Sequence, residues 1–503
     1  MDNSNIKDII ILGGGTAGWM CAAALSRLIP DKAINIRLIE SEAIGTVGVG
    51  EATIPHIVYF NRLLGLSEDD FVKHTHATFK LGIEFVDWGS LGERYIHPFG
   101  SYGADMEGIR FHHFWLRHKQ LGSQTPLENY NLQILAAKAG KFQRPDMSVK
   151  NSPLNAISYA FQFDATLYAG FMRKFAEKNG VVRTEGKVTG VTQNPENGHV
   201  QTLTLENGQS YSADLFIDCS GFRALLIEQT LKTGYQDWSA YLPCNRAVAR
   251  ASQATGDPAP YTRATAKEAG WQWRIPLQSR IGNGHVYCSD FMSDEKALES
   301  LNADLDGEPV SEPNFLRFKT GIRNKSWNKN VISLGLAAGF LEPLESTSIH
   351  LIQTAIARLM TNFPDKTFAQ ANIDYYNSRT LLEYEQVRDF LITHYYVTNR
   401  DDSPFWNYCR TMDIPDTLKE RLDLYKENAR LYRHDNELFN EVSWFAVMQG
   451  QGLVPRSHHP IVNALPDTIL DTRMSQMEKV MQSCLKHMPR HQDFIDQNCK
   501  AEL

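Results

Sequence analysis

Gly13, Gly15 and Gly18 stand at the spacing G-x-G-x-x-G, directly after the apolar run Ile9 to Leu12 and directly before the alanine-rich stretch Ala22 to Leu28. This chemistry is anion binding. One glycine makes a tight turn, one lets the backbone approach a pyrophosphate, and one lets a helix pack closely on a strand. The diphosphate then meets the free N–H groups and the dipole of a helix N-terminus. A second apolar run, Ile34 to Ile39, ends in Glu40, whose carboxylate suits a ribose 2′-hydroxyl and repels a 2′-phosphate. The pattern predicts a bound dinucleotide, FAD or NAD, on a strand–turn–helix unit. It is silent on the reaction.

Fewer signals mark a reacting group. Lys80 lies in a run whose apolar members alternate, Ala77, Phe79, Leu81, Ile83 and Phe85, which predicts one strand with one buried face. On that pattern Lys80 is on the opposite, solvated face. His97 and Phe99, two apart at the turn HPFG, can face one side of an extended segment, as core or as a binding wall. Trp271 and Trp273 project from one face of a strand, as a core slab or one wall of an aromatic site. Histidine pairs at 74/76, 112/113 and 458/459 lack a third ligand at zinc-like spacing, so no metal is expected.

The elements that position these groups are readable in outline. Gly45 to Pro55, GTVGVGEATIP, is a loop poor in side chains that can lie against a flat ligand. Gly180 to Val191 reads as a strand carrying Val188. Ala213 to Arg223, ADLFIDCSGFR, reads as a strand that returns to the first parallel sheet, so the dinucleotide unit is split in sequence. Asn330 to Leu359 reads as strand, glycine-rich turn and helix, with Ser346 or Thr347 near the helix start and Ile349, Ile352, Ile356 and Leu359 as its apolar stripe. From Phe368 onward the chain is largely helical.

The 503 residues, 42% of them hydrophobic, suffice for a large core and for two or more units. A net charge of -7 with no Lys/Arg run argues against nucleic acid and anionic membrane as partners. No apolar run reaches the ~18 residues of a membrane span, the first eight residues carry no signal-like core, and seven scattered cysteines include no C-x-x-C pair. A cytoplasmic protein with reduced thiols is expected.

GGGTAGW, GVGEATIP, ADLFIDCSG, W-x-W-x-I-P, FLEPLEST and RDDSPFW occur in this order, with a lysine at position 80. With this set the chain resembles the flavin-dependent tryptophan halogenases up to about Pro455. The resemblance implies an α/β fold: a Rossmann-like FAD-binding module of the glutathione-reductase and flavin-monooxygenase type under a largely helical substrate-covering region. Residues 1–365 would form the FAD module, discontinuous, with substrate-region insertions at about 60–155 and 240–320, and 366–503 the helical remainder. It implies FAD, as FADH2 from a separate NAD(P)H-dependent flavin reductase, O2 and a halide ion. Reduced FAD and O2 give a C4a-hydroperoxide, halide attacks it, and hypohalous acid travels to a lysine beside a small, electron-rich aromatic substrate.

The catalytic lysine then falls on Lys80, overriding the solvated reading, and the assisting glutamate on Glu345. FAD contacts fall on Gly13, Gly15, Thr16, Ala17, Gly18, Glu40, Val49, Val188, Leu336 and Ile349. The halide would sit on the backbone of Thr347 and Ser348, where the family has glycine at the second place, and His97 with Phe99 would hold the arene. The segment between Ala429 and Ser443 looks shortened and lacks the family's Tyr-Tyr and Glu clamp for the amino-acid end. Indole-like arenes without that handle are therefore expected in place of free tryptophan. A flavin-dependent aromatic hydroxylase is the alternative. The halide preferred, the position halogenated and a homodimer stay open.

Overall fold

The computed structural model describes residues 5–29, 34–44 and 50–502. The strand Asp8–Leu12, with Ile9, Ile10 and Ile11 all buried, lies between Asn35–Glu40 and Leu215–Asp218, paired parallel to both. Around these three a six-stranded sheet is built in the order Trp327–Asn328, Val331–Ser333, Leu215–Asp218, Asp8–Leu12, Asn35–Glu40, Val182–Glu185. Near-continuous apolar runs are what a sheet covered on both faces requires. The helix Thr16–Leu28 covers one face through Trp19 to Leu25 and packs on the helix Ala165–Lys178. The expected return of 213–223 to this sheet is borne out.

The stretch 180–191 differs from its reading as one strand. Val182–Glu185 joins the parallel sheet, Gly186 turns the chain at φ +153°, and Val188–Gln193 starts a separate three-stranded sheet. A residue in that region of φ is readily glycine and rarely anything else.

A seven-stranded sheet forms the second layer. Its order is Asn314–Arg317, Arg246–Gln253, Arg280–Tyr287, Gly270–Pro276, Thr262–Lys267, Gly82–Val86, Arg94–Pro98. A small sheet of Gly50–Ala52, Ala160–Asp164 and Thr78–Lys80 adjoins it. Here the single strand expected over 77–85 divides. Thr78–Lys80 belongs to the small sheet and Gly82–Val86 to the large one, with Leu81 between them donating its N–H to Pro260 O at 2.8 Å. Both stretches are buried on both faces, so alternation does not separate an inner from an outer side, and Lys80 is inside.

The C-terminal part is helical as expected, led by the 27-residue helix Gln370–Tyr396, which contacts the helices Ser348–Thr361 and Glu441–Gly450. Among the described residues no helix is long and apolar enough to cross a membrane.

Candidate active site

The first glycine turn and the second layer together enclose a cavity of about 850 Å³. Gly13, Gly15, Thr16, Ala17, Glu40, Val188, Leu336 and Ile349 all line it. Gly18 does not reach the cavity. A Cβ there would stand 1.9 Å from Gly13 O, so its role is the close packing of helix on turn. Val49 lies outside the described residues. Gly14, which the spacing argument passes over, is required for another reason: a Cβ on it would overlap the Glu40 carboxylate. That carboxylate accepts from Trp19 Nε1 at 3.4 Å and from Arg183 Nε.

These residues fit an elongated dinucleotide. Gly15 caps the helix with no side-chain hydrogen bond, and a Cβ on it would meet nothing within 4 Å, which leaves the first N–H groups of Thr16–Leu28 facing open space. Asp218 serves this end indirectly. Buried, it accepts from Ser220 N and Oγ and from the N–H groups of Leu226 and Ile227, fixing the Cys219–Gly221 turn on the cavity wall. Trp271 and Trp273 both line the cavity, so the slab is wall as well as core.

The far end of the cavity is closed by the tract Glu342 to Ser348. Pro343–Glu345 is one 3₁₀ turn, Ser346 takes a left-handed conformation at φ +57°, and the helix Ser348–Thr361 starts two residues on. Ser346 and Ser348 line the cavity. Thr347 does not, and its buried hydroxyl has no partner among the described residues. The N–H groups that open the helix have no acceptor within it.

Lys80 is wholly buried behind Ser346. Its Nζ donates to Ser346 Oγ at 2.8 Å and to Thr53 O at 3.0 Å, and lies 5.2 Å from the centre of the Phe99 ring. Burial lowers its pKa to about 7 against the opposing pull of Glu345. The three stretches that meet here, GEATIP, the lysine strand and LEST, are up to 293 residues apart in the sequence numbering, from Thr53 to Ser346. The contacts of Lys80 with Thr53 and Ser346 are therefore tertiary.

Glu345 faces Lys80's compartment and not the 850 Å³ cavity. His97 Nδ1 lies 2.9 and 3.0 Å from its two oxygens, and His394 Nε2 lies 2.8 Å from Oε1. Burial pushes the carboxyl up, but the two imidazoles more than offset this and bring it down to about 2. His97 is thus a partner of the carboxylate, and neither it nor Phe99 lines the large cavity. Its ring lies 5.7 Å from Phe390 and 6.2 Å from Phe439, which stack on each other at 3.7 Å.

Three more residues belong to this site, Glu342 within FLEPLEST but given no role by it, and His394 and Tyr395 outside any motif. Glu342 is fully buried, accepts from Trp271 Nε1 at 3.0 Å and from Tyr395 Oη at 2.5 Å, and burial raises its pKa to about 7. His394 and Tyr395 are neighbours on one helix and reach Glu345 and Glu342 respectively. Only the inward position of residues 387–395 in a long buried helix could have pointed to them.

The segment 429–443 holds one buried carboxylate, Glu437. It is engaged inside the protein, with Trp444 Nε1 at 3.1 Å on one oxygen and Arg421 Nη2 and His434 N at 3.0 and 3.2 Å on the other.

The sequence matches the family model for tryptophan halogenase over residues 8–467. It is 32% identical to the tryptophan 6-halogenase ThaL of Streptomyces albogriseolus over 539 aligned residues, covering 99% of both chains. Two solved structures are closer in sequence. Xcc4156, a flavin-dependent halogenase from Xanthomonas campestris, is 43% identical with a TM-score of 0.96 over 99% of each chain. BrvH, a flavin-dependent halogenase from Brevundimonas sp. BAL3, is 43% identical with a TM-score of 0.94 over 98% of this chain and 99% of that one. The chain is an enzyme, and it belongs to the tryptophan halogenase family.

Proposed function

We propose that the protein halogenates an electron-rich, indole-like arene with chloride or bromide, using Lys80 and Glu345. The observation that carries this reading is a lysine sealed from water, with a pKa lowered to about 7, hydrogen-bonded to a serine on the rim of the large cavity. FAD held in that cavity, reduced by a separate NAD(P)H-dependent flavin reductase, supplies with O2 the oxidising power that turns halide into hypohalous acid. Thr347 and Ser348 place helix N–H groups where an anion is favoured. Lys80 holds the oxidised halogen, either by hydrogen bond or as a haloamine, and Glu345 accepts the proton that the halogenated ring releases.

Glu437 speaks against an amino-acid clamp. Its oxygens already accept from three protein donors, which leaves at most one lone pair, on Oε1, for a substrate ammonium. With His97 and Phe99 as walls, a flat arene fits better than a zwitterion, whose charged end would be left unpaired.

The test is to mix the protein with FAD, a flavin reductase, NADH, halide and a panel of arenes, and to read products by mass. Indole is expected to gain halogen and free tryptophan to gain little. Efficient turnover of tryptophan with none of indole would overturn the substrate reading, and a hydroxylated product would overturn halogenation.

The state of Lys80 sets a pH dependence. Below a pKa of about 7 the side chain is ammonium, and above it the free amine that can bond halogen. If the amine acts, halogenation rises as pH increases through about 7 and levels off above it. A rate that falls over this range, at constant flavin reduction, would instead assign the work to the ammonium form.

A further inference from the structure

His394 presents both ring nitrogens to acceptors. Nδ1 lies 3.0 Å from the carbonyl oxygen of Phe390, which can only accept, so Nδ1 carries a hydrogen. Nε2 lies 2.8 Å from Glu345 Oε1, and that contact needs a second hydrogen between the two atoms. The pair is therefore loaded with one more proton than a neutral imidazole beside a carboxylate would hold. The ring is fully buried, with Phe85 at 4.9 Å, Phe390 at 5.2 Å and Trp88 at 6.0 Å, so no water replaces either contact.

We propose that His394 is a positioning residue that carries this proton as an imidazolium, compensates the charge of Glu345, and so leaves Lys80 free to act as an amine. The inference rests on the roles given above to Lys80 and Glu345. A buried carboxylate with no other cation beside it would draw an ammonium onto Lys80. With His394 charged, His97 needs only to donate from Nδ1. The unit of His97, Glu345 and His394 is then neutral, and the carboxylate stays ionised to receive the ring proton. The other ionisable groups that feel its carboxylate are Lys80 and Tyr95. Tyr95, half-buried and accepting from Gln451, is pushed far up by burial, and Glu342 is engaged by Trp271 and Tyr395. Of these only Lys80 can carry a positive charge, and doing so would take it out of its amine form.

Two measurements test this. In the full chain with FAD added and histidines labelled with 15N, the His394 signal, assigned by its loss in His394→Gln, should show two protonated ring nitrogens on the alkaline side of neutral. One unprotonated nitrogen would overturn the proposal. In His394→Gln, which keeps a donor toward Glu345 but no charge, and in His394→Phe, which keeps neither, the acid limb of the halogenation profile should move up by about one pH unit or more. A uniform fall in rate with an unmoved limb marks a merely structural residue and also overturns it. The spectrum reads the proton without any turnover, so a failure of the halogenase reading leaves it decisive.

Discussion

Replacing Lys80 by alanine is expected to abolish halogenation, by about a thousandfold or more, with FAD binding retained. A thousandfold corresponds to about 4 kcal/mol of transition-state stabilisation. The two halves of this result are separable because Lys80 does not line the cavity that fits FAD; Ser346 stands between them. Lys80→Met is the better-packed companion, since it keeps most of the buried stem and removes only the amine. Product analysis by mass and a flavin titration check the two halves. A hydroxylase would behave otherwise: with no halogen to carry, the same variant should keep most of its activity. Substantial halogenation by either variant would sink the role given to the amine.

The second large effect is expected from Glu345→Gln, a loss of about a hundredfold or more, the usual size of a general-base contribution. Most of the hydrogen bonding can be kept; the second N–H of the amide finds no acceptor here, at a cost of about 1–3 kcal/mol. His394 is fixed as a donor at Nδ1 by Phe390 O, so as a neutral ring it offers a lone pair at Nε2 to the new amide N–H, while His97 Nδ1 donates to the amide oxygen. Folding should therefore survive, and thermal melting checks this. What is lost is the carboxylate that receives the ring proton. Because His394 becomes neutral together with the side chain at 345, the net charge beside Lys80 is unchanged, and the acid limb should stay near its native position while the rate falls. An unmoved limb here, against the upward shift expected for His394 variants, makes the pair diagnostic. A rate within a few fold of the native enzyme would remove Glu345 from the reaction.

Local signals made the first sheet and its turn readable. The isoleucine run, the glycine spacing and Glu40 act within one strand–turn–helix unit, and the parallel return at 213–218 carries its own apolar strand. Lys80 was misplaced by period-two reasoning alone because that reasoning assumes one wet face. Residues 78–86 serve two sheets and have none. The family resemblance takes Lys80 off the wet face, and the structure has it buried, but its contacts are not written in the motifs. Ser346, Glu342, His394 and Tyr395 are joined to the site across 49 to 266 positions of chain. No local pattern encodes such pairings; they are fixed only when the long helix packs against the 3₁₀ turn. Gly14 was missed for the same reason, since its need arises from Glu40 on the next strand.

The neighbouring residues His394 and Tyr395 engage two carboxylates three positions apart, Glu345 and Glu342, so helix and turn mesh like teeth at fixed spacing. One residue inserted or deleted between 342 and 348 would slip both contacts at once, and would shift Ser346 and the helix start with them. Length in that stretch is consequently under tighter restriction than composition. The irregular stretch at 430–440 is tied down at separate points, by Arg421 to Tyr432 O, by the contacts of Glu437 and by the stacking of Phe439 on Phe390, and not by paired teeth of this kind. Insertions and deletions belong there, where they leave Lys80 and the Glu342–Ser348 turn in register.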